Sequence, residues 1–387
     1  MTQRAYINPE VLKWARESAH MSVEEVARRL KVKPEKIRMW ESGEAYPTIR
    51  QMETCTTLFR RPLAVFFLPE PPKDFHTLRD FRKRDNQAPY SRALTFIIRD
   101  ILQRQEWMRD FLQEQNEPEL DFIGKYTIDD DPKMIAWDIR ETLGVRDIPA
   151  GKNPLNFWIE KIENKGIFVS LTGNVHSHLP VNPDEVKGFS ASDKYAPFIF
   201  VNSKDSKNSQ LFTLVHELAH LWLDVSGVSA FDIVDFRMEK DKFDPVEIHC
   251  NAITAEVLMP EDMIKSFFQN QDININIINK IAEQLHVSSY AMIVRLLNLK
   301  MMSEKAFYEY KALFSLQYRE YLIQQAKKEK REGGPDYYML QVRKNSRLFS
   351  RVIYFLYKGG KISGVEAGNL LDIRLNNFNK MEKYILA

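Results

Sequence analysis

The stretch Leu211-Phe-Thr-Leu-Val-His-Glu-Leu-Ala-His-Leu-Trp-Leu223 decides how this chain is read. Its only polar residues are Thr213, His216, Glu217 and His220. A helix here is apolar nearly all round and belongs in a core. Burying two histidines and a glutamate is costly unless something satisfies them. His216 and His220 fall one helical turn apart on one face, where both imidazoles can reach a single tetrahedral zinc ion. Glu217, next to the first histidine, can take a proton from a water molecule held at that site. Zinc supplies the Lewis acidity that makes water nucleophilic near neutral pH and polarises a carbonyl, so peptide or amide hydrolysis follows from these parts. Chance is a poor explanation: with 8 histidines in 387 residues, matches to H-E-x-x-H are expected on the order of 0.01 times.

A catalytic zinc takes three protein ligands and keeps one position open. Val246 to Met259 reads as a second helix, stopped by Pro260. Val246, Cys250, Ile253 and Val257 form its inner stripe, and Cys250 is packing. Glu247 and Asn251 share another face, with Glu256 turned roughly opposite to Glu247. Glu247 is therefore the favoured third ligand, with Asn251 as a hydrogen-bonding partner for a ligand side chain. His249 is the rival, its bland alternative being a partly exposed helix histidine. His176, His178 and Tyr195 are unranked candidates for a second electrophile. A substrate strand could add to an edge at Lys187–Ala191 or Pro197–Asn202.

The length allows two or three domains, and 44% hydrophobic residues suffice for real cores. A formal charge of +2 argues neither for nor against nucleic acid. Two cysteines, Cys55 and Cys250, exclude a disulfide scaffold and a Cys-rich zinc site. The opening Met-Thr-Gln-Arg-Ala-Tyr has no apolar signal core, and no run reaches the length of a membrane helix. A cytoplasmic protein without membrane contact is expected.

The expected class is mainly α with a small β-sheet (α+β). Residues 1–70 read as an all-α unit: Ser22 with Glu25 as a capping box, Pro34 opening a helix that Gly43 ends, and Thr48 capping a fourth. Pro69-Glu-Pro-Pro-Lys73 marks a boundary, followed by a charged linker through Arg79–Arg84 and a helical arm, 71–115 together. Helices are expected at Ala93–Phe111, Pro132–Leu143 and Pro154–Glu163, and strands at Gly166–Leu171, Lys187–Ala191 and Pro197–Asn202. Residues 116–300 form the expected zinc domain. Residues 301–387 form a helical C-terminal region broken at Gly333-Gly-Pro335 and Gly359-Gly360, whose aromatic run Tyr354-Phe-Leu-Tyr357 reads as core.

Thr213-Leu-Val-His-Glu-Leu-Ala-His220 and Glu247-Ile-His-Cys-Asn-Ala-Ile-Thr-Ala-Glu-Val-Leu-Met-Pro260 resemble the ImmA/IrrE family of metallopeptidases, a likeness that covers about residues 160–300. Cys250, Ile253, Thr254 and Val257 depart modestly from the family pattern. His249 stands where a second glutamate is frequent, which favours Glu247. The resemblance implies a zincin-like, gluzincin-type site with Glu217 catalytic, often directed at a repressor or similar regulatory protein. Ile281–Leu297 resembles the helical segment after the family's catalytic core. Physics alone would also allow a second helix-turn-helix, but a helical pair packing beside the core is the better reading, and Arg295 by itself is no DNA footprint.

Ser22–Leu30, Val32–Gly43 and Pro47–Arg50 are similar to the Xre/Cro-type helix-turn-helix family, over residues 9–68. Arg28, Arg29, Lys31, Lys33, Lys36 and Arg38 set six positive charges against Glu35 within eleven residues, a patch suited to phosphates. The resemblance implies that Pro34–Glu41 enters a major groove with Lys33, Glu35, Lys36 and Met39 toward the bases. Val23 replaces a common phosphate-holding glutamine, and Met39 offers no bidentate hydrogen bonds.

Fused modules of these two kinds look like regulators from phage, mobile-element, stress-response or toxin–antitoxin loci. The expectation is a DNA-binding transcriptional regulator carrying a zinc endopeptidase. Its partners would be operator DNA and a nearby-encoded repressor or toxin, and a homodimer is allowed. The competing reading is a non-enzymatic repressor or antitoxin that uses the zinc fold as a binding platform. An intact Glu217 favours the enzyme, because a structural site needs no base.

Overall fold

Short-range signals set the N-terminal helices. In the computed structural model, which describes residues 3–72, 78–80, 90–148, 151–176, 179–229, 244–269, 271–328 and 336–386, these are α1 (Pro9–Ser18), α2 (Val23–Leu30), α3 (Pro34–Ser42) and α4 (Ile49–Phe59). Ser22 Oγ accepts from Glu25 N at 3.0 Å, and Thr48 with Gln51 completes a reciprocal capping box. Gly43 ends α3 with φ +80°, the left-handed conformation that glycine adopts without strain. Arg16 grips Glu41 through two hydrogen bonds of 2.7 and 3.0 Å, tying α1 to α3. The Gly333–Pro335 break, Phe81–Arg84 of the charged linker and His178 lie outside the described residues.

Two compact units are distinguished: residues 1–77, 88–102 and 175–179, and residues 78–87, 103–174 and 180–387. The first holds α1–α4, a 3-10 turn at Leu63–Phe67, and the beginning of α5 (Arg92–Glu114). Leu94 and Ile97 of α5 are buried there, and Arg92 takes the carboxylate of Glu25 at 2.7 Å. Glu25 is thus spent on an arginine 67 residues away.

The second unit is built round a five-stranded sheet. Its strands are β1 (Arg79–Asp80), β2 (Phe168–Thr172), β5 (Gly188–Ala191), β6 (Phe198–Asn202) and β7 (Gly227–Ser229), in the order β1-β7-β5-β6-β2. A separate two-stranded sheet pairs β3 (Asn174–His176) with β4 (Leu179–Pro180). β5 is antiparallel to both neighbours, with Gly188 opposite Val201 and Ser229, while β2 and β1 run parallel to β6 and β7. The helices are α6 (Pro132–Leu143), α7 (Pro154–Glu163), α8 (Lys207–Trp222), α9 (Pro245–Leu258), α10 (Glu261–Phe268), α11 (Ile275–Gln284) and α12 (Ser289–Asn298). They continue as α13 (Glu304–Lys328), α14 (Tyr337–Asn345), α15 (Arg347–Lys358), α16 (Gly364–Leu371) and α17 (Phe378–Leu386). The chain is mainly helical with a small mixed sheet, as its apolar periodicity predicts.

One expectation needs correction. Lys187–Ala191 and Pro197–Asn202 offer no free edge: β5 lies between β7 and β6, and β6 between β5 and β2. β7 and β1 are only three and two residues long, too short for alternation to announce them. α11 and α12 pack into the core of the second unit, in line with the preferred reading of Ile281–Leu297 as a helical pair beside it. Arg295 is 6% exposed, ion-paired with Glu256 at 2.6 Å, and its Nε donates to the Met259 carbonyl at 3.0 Å. The C-terminal helices pack on β2 and α7: Ser170 Oγ donates to the Lys344 carbonyl at 2.6 Å, and Ser346 Oγ to Glu163 at 2.5 Å. In the aromatic run Tyr354 and Leu356 are buried, whereas Phe355 is exposed. Among the described residues, no helix is long and apolar enough to cross a membrane.

Candidate metal centre

α8 begins where Ser206 Oγ accepts from Ser209 N, and Lys187 Nζ anchors Asp205 at 3.0 Å just ahead of it. From Gln210 to Trp222 the helix is buried except at Phe212, lying on β5 and β6 and flanked by α9. Its apolar composition requires that burial. α9, capped by Asp244, presents Val246, Cys250, Ile253 and Val257 to the core as the sequence predicts.

This packing brings His216, His220 and Glu247 together, all buried. His216 Nε2 lies 3.1 Å from Glu247 Oε2, His220 Nε2 3.0 Å from Glu247 Oε1, and the two Nε2 atoms are 3.1 Å apart. Ligands at zinc-like distances of about 2.0–2.1 Å on a tetrahedron stand about 3.3 Å from one another. The triangle observed is close to that size. Two imidazole nitrogens facing each other beside a carboxylate, in a dry core, form a donor set that fits a divalent cation.

The electrostatics point the same way. Burial disfavours the charged Glu247 carboxylate, but the two histidines outweigh it and hold its pKa at about 2. Burial likewise pulls the His216 imidazolium down, yet Glu247 more than compensates and the net shift is upward. Asn251, one turn beyond Glu247, donates to the Glu247 carbonyl at 2.9 Å, and its side chain adds to the rise at His216.

His249 stands apart from this cluster. It is half-buried, its pKa lowered by burial against the opposing charges of Asp130, Asp129 and Asp131. Glu256 is engaged by Arg295. Burial pushes the Cys250 thiol well up, so it is inert packing.

Residues 174–297 match the family model described as the IrrE N-terminal-like domain, a peptidase family. Residues 12–66 match the helix-turn-helix model. The chain joins an IrrE-like domain to a helix-turn-helix domain. No curated protein shows a significant match to it.

Within the IrrE-like domain, Glu217 is fully buried at the seam between α8 and β5. Sequence reasoning missed Gly188, whose hydrogen faces this seam: a Cβ there would meet Thr213 Cγ2 at 2.5 Å and Glu217 Cγ at 3.1 Å. The signal available was a glycine inside a strand-like run, which marks close backbone approach. Tyr195 lies in the turn beyond Ala191, at the opposite end of β5 from Gly188, with its hydroxyl 3.4 Å from Glu119. His176 is exposed on β3.

In the helix-turn-helix domain, Lys33, Glu35, Lys36 and Met39 line one open cleft together with Lys31. Arg28 and Arg29 are exposed at the end of α2 and do not line it. Arg38 is also exposed, but its guanidinium is paired with Glu24 at 2.7 Å and approaches Glu35 at 3.8 Å. Its charge is thereby largely offset, which the count of cations alone did not reveal.

Proposed function

We propose that this chain is a DNA-binding transcriptional regulator whose IrrE-like domain is a zinc-dependent endopeptidase acting on a regulatory protein encoded nearby. The observation that carries the reading is the buried triangle of His216, His220 and Glu247 with Glu217 next to its first member. Proposed zinc ligands are His216, His220 and Glu247, with Asn251 orienting Glu247 and His216. Zinc bound there supplies Lewis acidity toward water and the scissile carbonyl. Glu217 accepts the water's proton on its carboxylate and then delivers it to the leaving amine. Its burial excludes bulk water and keeps that proton local.

The proposed division of labour places DNA recognition in residues 1–70, an arm in 71–115, proteolysis in 116–300 and a supporting helical region in 301–387. Lys33, Glu35, Lys36 and Met39 are the proposed base-facing set, and Arg28, Arg29 and Arg38 the flanking cations.

The test incubates the protein, and its Glu217→Gln variant, with the proteins encoded beside it. Cleavage by the wild type and none by the variant, both loaded with zinc, is the expected outcome. Zinc binding with no neighbouring protein cut, while promoter DNA is still occupied, would instead assign a non-enzymatic binding platform.

A further inference from the structure

The cleft beside α3 has a second wall that lies outside the helix-turn-helix match, which begins at residue 12. Gln3 to Ala5 pairs with the loop between α3 and α4, and a tight turn follows at Tyr6, where Ile7 N donates to the Ala5 carbonyl at 3.0 Å. Ala5 N donates to the Pro47 carbonyl at 2.9 Å, Ile49 N to the Gln3 carbonyl at 3.2 Å, and Arg4 bridges to Thr48. These bonds tie the segment to the loop as a wall. It presents Arg4, whose guanidinium donates to the Tyr46 carbonyl at 2.9 Å, and Tyr6, whose ring tilts against Tyr46 at 5.0 Å between centroids.

Between this wall and α3 lies an open cleft of about 840 Å³. Arg4, Lys31, Lys33 and Lys36 line it against a single carboxylate, Glu35. Among the described residues none of those four cations is ion-paired. Trp40, 1% exposed, also lines the cleft, and its indole N–H has no partner among the described residues. Tyr6 is 73% exposed, unusual for so large a ring.

We propose that this wall grips one phosphate backbone strand of a DNA duplex, with Arg4 as a phosphate contact and the Tyr6–Tyr46 pair as its flank. The proposal rests on the DNA-binding reading and extends it to residues before the helix-turn-helix. A helix seated in a major groove has a backbone strand passing on either side, and the Arg4 wall faces α3 across the cleft, on the side where one of those strands would pass. Arg4 is held by a single bond, so most of its five donors remain for phosphate oxygens, and little side-chain freedom is lost on binding. Tyrosine hydroxyls are ordinary phosphate donors, and the ring pair keeps the wall rigid.

The test is fluorescence anisotropy of the intact protein on a duplex from its own promoter, titrated between about 50 and 200 mM salt. Arg4→Ala is expected to weaken binding about tenfold and to lower the slope of log K against log salt by about one. Arg4→Lys should preserve the slope while still binding more weakly, because the charge stays and the fixed fork is lost. Tyr6→Ser, at an exposed position, should weaken binding with no change in thermal melting. The proposal is overturned if Arg4→Ala and Tyr6→Ser bind with wild-type affinity and slope while Lys33→Ala with Lys36→Ala still weakens binding. It is equally overturned if these variants lose only a protein partner. If the wild type binds no duplex at any salt, the DNA-binding reading itself falls.

Discussion

Gly188 and Glu217 are in close apposition: a methyl group on Gly188 would stand 3.1 Å from Glu217 Cγ. The strand therefore seats the proposed base. A Gly188→Ala methyl would also meet Thr213 Cγ2 at 2.5 Å and the Phe200 carbonyl oxygen at 2.8 Å. Overpacking of this kind costs about 1–3 kcal/mol, and a displacement of about 1 Å at a reacting group costs about a hundredfold in rate. Gly188→Ala should melt earlier and cleave about a hundredfold more slowly, yet bind zinc as well as the wild type. Wild-type turnover in this variant would show that β5 does not position Glu217.

A cation held by the proposed donor triangle would stabilise the fold. A cation at 100 times its dissociation constant adds about 2.7 kcal/mol to stability. Chelation should lower the melting temperature, and restored zinc should return it. A melting curve that ignores both would remove the metal from this site.

Glu247 and His249 separate cleanly. Glu247→Gln should weaken zinc binding by more than about a hundredfold, and Asn251→Ala by about tenfold. His249→Gln should leave it unchanged. Competition with a chromophoric chelator distinguishes all three. Loss of zinc on His249→Gln with Glu247→Gln silent would reverse the assignment.

Metal affinity should fall as pH falls. The imidazole of His216 must be neutral to bind, and without metal its pKa is raised above its ordinary value of about 6.5 by Glu247. Protons therefore begin to compete just above that pH, and zinc is held more tightly as pH rises past it. Glu247, with a pKa of about 2, stays ionised through this window and adds no slope. Chelator competition between about pH 5 and 8 should show net proton release on zinc binding, with affinity rising as pH rises. A flat profile would exclude a histidine ligand with a raised pKa.

Arg295→Ala removes the ion-pair partner of Glu256, 2.6 Å away, and leaves that carboxylate only the Glu261 N–H among the described residues. Breaking such a pair costs about 3–5 kcal/mol. Denaturant melts should show that loss, while affinity for promoter DNA is retained. Weaker DNA binding without loss of stability would restore α11 and α12 as a DNA reader.

Much of this architecture is legible locally. Caps at Ser22 and Thr48 and the Pro34 to Gly43 helix follow from backbone groups within a few residues of one another. The full burial of α8 follows from its composition, and the shared face of His216 and His220 from the 3.6-residue period.

By itself the sequence determined that His216 and His220 share one face, that Glu217 is beside them, and that a helix-turn-helix precedes them. Those features depend on covalent spacing. The sequence favoured Glu247 over His249, but only the tertiary structure brought Glu247, 31 residues after His216, against the histidines while His249 lies near Asp129–Asp131. It alone filled the β5 edge with β7, bound Arg295 to Glu256, and laid Arg4 against Tyr46. Periodicity sets which residues of a helix share a face. Which face meets a neighbour depends on how apolar stripes distant in sequence fit together in the core.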